Sequence, residues 1–318
     1  MNEVAENIVI EKKLSIIVPV YGVEDYILEF LESIVPQLQN STELIIVNDG
    51  TKDHSMTKCR EYLGSDYKNV VLLEQENQGQ SVARNYGLRI AKGQYIGFLD
   101  PDDYVCEYYI AQILSVIENN NDVDIIDFKA VSFIDKSKEK ISIINEKFKE
   151  GLYVEDTLDS YLKNVFKECS WQSWLRVVKK TLIKDIKFPV GLLIQDVHVF
   201  PILYLNSLKI YHIAECIVYY RMRAGSAVTT INKKQEKGYR EALVKLLSIT
   251  DNKDIVKYSV EKIFENYLYV KSKNDGGFKA LLGFLKDREI FKVNTFFILM
   301  RLVFRKFGFG RSEVDNVN

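Results

Sequence analysis

Leu14-Ser15-Ile16-Ile17-Val18-Pro19-Val20-Tyr21-Gly22-Val23-Glu24 opens as a short apolar run and breaks into proline, glycine and a carboxylate. Residues 44–47, 70–73 and 95–99 repeat the theme, each run followed by polar or glycine-containing residues and then a helical pattern. That rhythm predicts a parallel α/β sheet. Between the first two runs, Ile27, Phe30, Leu31, Ile34, Val35 and Leu38 recur at three-or-four spacing, one apolar helix face to lay on the sheet. Pro36 falls late in that helix and kinks or ends it.

Such a sheet binds ligands beyond the carboxyl ends of its strands. Those positions hold Pro19 to Glu24, then Asn48-Asp49-Gly50-Thr51-Lys52-Asp53, then Asp100-Pro101-Asp102-Asp103. Three carboxylates within four residues repel unless a cation or hydrogen-bond donors compensate. Magnesium or manganese does so with one or two carboxylates, completing its shell with phosphate oxygens and water. A lone DxDD reads more readily as a solvated turn with Asp100 or Asp103 capping the next helix. Partners on neighbouring strands shift that balance. Asp49 suits the imide and hydroxyl edges of a uridine, or only caps its turn. In Asn77-Gln78-Gly79-Gln80-Ser81-Val82-Ala83-Arg84-Asn85 a helix starts at a glycine, where backbone N–H groups and Arg84 can face a phosphate or a metal-bridging carboxylate.

Ser15-Ile16-Ile17-Val18-Pro19-Val20-Tyr21, Val47-Asn48-Asp49-Gly50-Thr51, Asn77-x-Gly79-x-Ser81-x-Ala83-Arg84-Asn85 and Phe98-Leu99-Asp100-Pro101-Asp102-Asp103 resemble glycosyltransferase family 2 in order and spacing. The likeness covers roughly residues 12 to 225. It implies a GT-A fold, a mostly parallel central sheet flanked by helices that binds a nucleotide-diphospho-sugar. By the same resemblance Asp49 contacts the base, Asp100 lies near the ribose and Asp102 is the main ligand of a divalent Mn2+ or Mg2+. Pro19, Val20, Tyr21, Glu24, Gly50, Asp53, Gln78, Gly79, Arg84, Asn85 and Pro101 complete the donor pocket, and Asp103 orients the loop or approaches the sugar. Non-processive members carry a downstream Glu-Asp pair whose aspartate is the general base; this chain has Gln195-Asp196. Asp196 is then the base, with Gln195 removing one neighbouring charge. Without the resemblance, Asp196 reads as the N-cap of a helix over residues 197–205. Trp174 and Arg221 are candidate acceptor or diphosphate contacts, against core packing with Trp171 and a basic surface turn.

The 318 residues, 47% hydrophobic and 27% charged, suit an ordinary globular chain. A net charge of -1 gives no basic field for nucleic acid. Four scattered cysteines without a CxxC pair suggest neither zinc nor a disulfide framework and suit a reducing cytoplasm. The acidic start lacks the pattern of a secretion signal, so a cytoplasmic protein is expected. His198 and His212 lack partners at metal spacing and read as structural.

The expected organisation is a tail at 1–12, a catalytic domain at 13–228 divided at 105, and a helical C-terminal extension at 229–318. Residues 290–311 mix Lys292, Arg301, Arg305, Lys306 and Arg311 with phenylalanines and aliphatics and hold no acid. Such a segment lies in an anionic membrane surface or packs against the protein or a second copy in a homodimer. The expected partners are a nucleotide sugar and a glycan or polyisoprenyl-linked acceptor at the inner membrane face. Two rivals stand beside this: a non-catalytic binding module of the same fold, and a glycosyltransferase acting on a protein or small molecule.

Overall fold

A computed structural model describes residues 11–65, 67–120, 122–223, 231–249 and 253–276. They fall into two compact units, the first within 1–161, 170–191 and 199–224, the second within 162–169, 192–198 and 225–318.

The chain runs β1 (Leu14–Val20), α1 (Ile27–Ile34), β2 (Thr42–Asn48), α2 (Ser55–Leu63), β3 (Val70–Glu74), α3 (Gln80–Ile90), β4 (Tyr95–Phe98), β5 (Tyr104–Val105) and α4 (Tyr109–Asn119). It continues through β6 (Ile125–Ile134), β7 (Lys140–Ile144), β8 (Gly151–Val154), α5 (Glu155–Glu168), β9 (Arg176–Lys179), α6 (Lys180–Ile183), α7 (Asp196–Leu205) and β10 (Lys209–Met222). Helices α8 (Lys233–Leu247) and α9 (Lys253–Asp275) follow. As Pro36 predicts, α1 stops at Ile34 and tightens into a 3-10 turn over Val35–Gln37.

In the first unit the strand order is β3-β2-β1-β4-β9-β6-β10-β5, with β7 beside β6 and β8 beside β10. Strands β1 to β4 pair parallel, as their spacing predicts. Beyond β4 the sheet is mixed: β9 lies antiparallel to both β4 and β6, whereas β6 and β10 are parallel. Every residue of β1 is buried, which accounts for its unbroken apolar reading: a strand covered on both faces has no solvent side to alternate with. Its Leu14, Ile16 and Val18 join Ile27, Phe30 and Leu31 of α1 in one core cluster. Each such side chain contributes about 1.5–3 kcal/mol when fully buried.

β1 has β2 on one side and β4 on the other, so the chain changes direction across the sheet at β1. Register makes the opening there level: Val20 pairs with Asn48, and Ile17 with Phe98. The ends of β1, β2 and β4 therefore meet on the side where the sequence places the ligand crevice. At the far side, antiparallel pairing of Tyr219 with Tyr104 brings the end of β10 to the acidic turn after β4.

In the second unit α8 and α9 bury Leu243, Leu246, Val260, Ile263, Phe264 and Tyr267, and the Glu236 carboxylate accepts hydrogen bonds from Lys271 Nζ at 2.9 Å and Asn274 Nδ2 at 2.9 Å. Among the described residues no helix is long and apolar enough to cross a membrane. The segment 290–311 lies outside the described residues. Cys59 and Cys106 are buried.

α3 approaches β1 closely because residue 87 is glycine; a Cβ there would meet Ile17 Cγ2 at 2.4 Å. Gly87→Ala is expected to destabilise the protein by about 1–3 kcal/mol in urea unfolding. In an Ile17→Ala background, which removes the opposing carbon, the same change should cost clearly less. Equal costs in the two backgrounds would show that another contact sets the spacing.

Candidate functional site

The loops behind β1, β2 and β3 are stitched into one platform. Gly22 N–H donates to Thr51 Oγ1 at 2.9 Å, Val23 N–H to Ser55 Oγ at 3.1 Å and Glu24 N–H to Asp53 Oδ2 at 3.0 Å. Glu24 returns the link by accepting from His54 N–H at 2.9 Å. Asp49 is buried, and its Oδ1 accepts from Gln75 Nε2 at 2.8 Å and Gln78 N–H at 2.9 Å while Oδ2 accepts from Gly79 N–H at 2.9 Å. Asp49 thus fixes the start of α3 from the end of β2, and Gly50 carries the turn behind it at φ +65°. Pro19 and Val20 close β1, and Tyr21 beyond them is 54% exposed.

Each carboxylate of the acidic turn has a partner from another segment. Asp100 Oδ1 accepts from Arg84 Nη2 at 2.6 Å, and the Arg84 guanidinium lies 5.6 Å from the centre of the Phe188 ring. Asp102 Oδ2 accepts from Arg223 Nε at 2.8 Å. Buried Asp103 accepts from Arg221 N–H at 2.7 Å. The Arg221 side chain donates to Asp102 O at 2.6 Å, to Asp135 at 2.8 Å and to Glu29, and both Arg221 and Arg223 sit 5.0 Å from the centre of the Tyr26 ring. Pro101, between Asp100 and Asp102 in the sequence, is buried.

Burial raises the Asp102 carboxyl above its ordinary range, the Asp100 charge adds to this, and Arg223 partly offsets it. Asp103 is raised well above, by burial first and then by Asp102 and Asp100. Among the described residues no group of three or more His, Cys, Asp or Glu side chains is arranged to hold a metal. An all-protein cage is therefore not what this turn offers. One or two carboxylates that share a hard divalent ion with phosphate oxygens and water do fit, with Asp102 as ligand and Asp100 beside it.

Tyr26, Glu29 and Asp135 take part here and had no signal in the sequence, because they come from α1 and its lead-in and from the end of β6 and meet only through the sheet, whereas Arg223 stands with Arg221 in the segment after Tyr219-Tyr220 that the family resemblance places near the donor diphosphate or the acceptor. Gln75 was missed for the same reason. Several predicted residues do other work. The Asn85 amide donates to Phe188 O at 2.9 Å and accepts from Phe188 N–H at 2.9 Å, so it holds that loop. Trp174 is buried and stacks on Tyr220 at 5.0 Å, so its face is not offered to an acceptor and the core-packing reading applies. His212 is fully buried with Nδ1 2.8 Å from Asp127, as expected of a structural histidine. A cavity of about 490 Å³ at the opposite ends of β4 and β9, lined by Lys92, Tyr95, Lys180 and Lys184, holds none of the predicted residues.

Gln195 and Asp196 belong to the second unit. Asp196 is the first residue of α7, one position inside the helix where the capping alternative had it as the residue before the first turn, and Gln195 is buried. Ile194 before them has φ +61°, a left-handed backbone that costs a β-branched residue about 1–3 kcal/mol. The loop is clasped by α8 within the same unit: His198 Nε2 lies 3.2 Å from Gly238 O, and Lys245 Nζ donates to His198 O at 2.7 Å. Burial lowers the His198 pKa.

The Glycosyl transferase family 2 profile matches residues 15–177. Over 255 residues the chain is 30% identical to the minor teichoic acid biosynthesis protein GgaB of Bacillus subtilis (strain 168), covering 78% of this chain and 27% of that protein. It spans between 27% and 50% of the length of the first curated relatives it matches. The GT-A fold is shared with S. aureus TarS 1-349 in complex with UDP-GlcNAc, at TM-score 0.62 and 20% identity over 82% of this chain and 73% of that one. It is shared equally with the mannosyltransferase PcManGT from Pyrobaculum calidifontis in complex with GDP-Man and Mn2+, at TM-score 0.58 and 14% identity over 94% and 81%.

Asp53 anchors the platform as a charged acceptor. Burial alone would raise its pKa, but hydrogen bonds from Ser55 and Thr51 and from the Ser55 and Glu24 N–H groups outweigh it and hold the pKa below the ordinary value. A folded pKa below the unfolded one of about 3.9 contributes stability that is complete above that pH and is lost as pH falls through the folded value. Asp53→Ala is expected to lower the unfolding free energy at pH 7 by about 1–2 kcal/mol. The gap to wild type should narrow below about pH 4. Urea denaturation at pH 7 and in acid tests this, and an unchanged gap would mean that the charge on Asp53 is not its source.

Proposed function

The chain belongs to glycosyltransferase family 2, and we propose that it moves a sugar, with inversion, from a uridine-diphosphate sugar to a hydroxyl of a glycan or lipid-linked acceptor in the synthesis of a surface polymer. The observation that carries this reading is the acidic turn at the switch point of the sheet: Asp102, held by Arg223, follows β4 on one side of β1, and the platform built by Asp49 follows β2 on the other. The family match supports the reaction class. The name of the Bacillus relative supports the polymer, and UDP-GlcNAc in the TarS structure supports uridine.

Bound to Asp102, a divalent cation supplies positive charge against the departing nucleoside diphosphate; Mn2+ in the mannosyltransferase structure supports this role. The chain's residues do the rest. Pro19, Val20, Tyr21 and the Asp49 platform hold the nucleoside, and the Gly79 start of α3 gives the donor a rigid floor. Asp196 takes the acceptor hydroxyl proton onto its carboxylate. The freed oxygen attacks the anomeric carbon from the face opposite the diphosphate, and the anomeric carbon–oxygen bond breaks with its electron pair leaving on the diphosphate. Gln195 keeps a second charge away from Asp196, and the strained Ile194 is a conformation of the sort held at functional sites. In this reading residues 290–311 bring the chain to an anionic membrane surface at the cytoplasmic face, where a lipid-linked acceptor is presented.

Asp196→Asn is expected to lower turnover by about 10²–10⁴-fold, the usual worth of a general base, with UDP affinity unchanged. Asp102→Asn should lower turnover as far and also remove the manganese dependence of UDP binding. Calorimetric titration of UDP with and without Mn2+, beside single-turnover sugar transfer, measures both. Wild-type turnover in Asp196→Asn would rule out the base.

A further inference from the structure

We propose that Arg223 is an exchangeable counter-ion of Asp102: it neutralises this carboxylate in the nucleotide-free protein and yields it when a divalent cation arrives with the donor diphosphate. The inference rests on the reading that Asp102 binds the cation.

The argument comes from comparing the three arginines around the acidic turn. Arg84 has a side chain 2% exposed, fixed between Asp100 and the Phe188 ring. Arg221 is 3% exposed and divides its guanidinium among Asp102 O, Asp135 and Glu29. Removing either cation from its partners would strand a buried charge, so both are fixed parts of the site. Arg223 differs on each count. Its side chain is 19% exposed, and among the described residues it donates from Nε to Asp102 Oδ2 at 2.8 Å and lies 5.0 Å from the centre of the Tyr26 ring. Releasing it turns a partly hydrated cation further toward water and leaves its aromatic contact available.

The oxygen it occupies belongs to the carboxylate assigned to the cation, so the two cations compete for one charge. Asp102 is itself only 21% exposed on its side chain, and Asp100 Oδ1 is already given to Arg84, so the turn has little spare anionic capacity while Arg223 is docked. A cation without nucleotide must displace Arg223 and gains nothing for the released guanidinium. A cation with a diphosphate brings the compensating anion with it, and Arg223 then has a new negative partner in the same site. The pair therefore couples cation binding to donor binding, favouring arrival of both over arrival of the cation alone.

Mn2+ binding followed by electron paramagnetic resonance, with no acceptor and no turnover, tests this on wild type, Arg223→Gln, Arg223→Ala and Asp102→Asn, each with and without UDP. Two Arg223 variants are used so that one that fails to fold does not decide the matter. Removing the competitor is expected to tighten Mn2+ binding without nucleotide by roughly fivefold, the size of a partly exposed ion pair. The enhancement of Mn2+ affinity by UDP should shrink in the same variants. Asp102→Asn should abolish Mn2+ binding. Unchanged or weaker Mn2+ binding in the folded Arg223 variants, with Asp102→Asn still abolishing it, would overturn the counter-ion role and leave Asp102 as the ligand. Mn2+ binding that survives Asp102→Asn would overturn both readings.

Discussion

Like charges held together in a half-buried turn must be answered, and the answer organises much of the first unit. Asp100, Asp102 and Asp103 stand within four residues at the end of β4, and water cannot screen them fully. Arg84 arrives from α3, Arg221 and Arg223 from the end of β10, and Glu29 and Asp135 fix Arg221 in place. The antiparallel pairing of β10 with β5 delivers those arginines at the required register. The mixed half of the sheet thereby supplies cations to carboxylates that the parallel half creates.

The parallel half was legible because its physics is local. Runs such as residues 14–18 and 44–47 are buried on both faces, so apolar continuity alone marks them, and Pro36 ends α1 by the loss of one N–H. Carboxylates at strand ends were legible too, since sequence position relative to a strand fixes which end they occupy. What stayed hidden was non-local. β9 inserts between β4 and β6 from some eighty residues downstream, and no periodicity reports that pairing. Tyr26 and Glu29 read as ordinary members of a helix and its lead-in, and only the fold sets them under Arg221. Trp171 and Trp174 illustrate the opposite case: their spacing suits a sugar platform, yet both are buried against tyrosines, Trp174 stacked on Tyr220 and Trp171 edge-on to Tyr204.

The second unit contributes differently. Its helices are held by apolar packing and by Glu236, which ties α8 to α9 through Lys271 and Asn274. Within it, Gln195 and Asp196 follow a residue in a left-handed backbone, and α8 clasps the same stretch through His198. In the proposed role of Asp196, a base carried on a strained, clasped loop has fewer conformations to lose when it must meet a hydroxyl than one on an open turn. In the same proposal, a glutamine at 195 in place of a glutamate keeps hydrogen-bonding capacity while removing a charge that would oppose ionisation of Asp196.

The stitching of the three loops by Asp49, Asp53 and Glu24 has a thermodynamic consequence for the ligand. In the proposed reading the loops behind β1, β2 and β3 receive the nucleotide, and they are already ordered by carboxylates accepting backbone N–H groups. The entropy of arranging that floor is spent during folding, so an arriving nucleoside loses chiefly its own freedom. Two donors of different sugar then meet the same rigid seat, and the nucleotide end of the molecule serves as a common handle while discrimination is left to whatever surrounds the sugar.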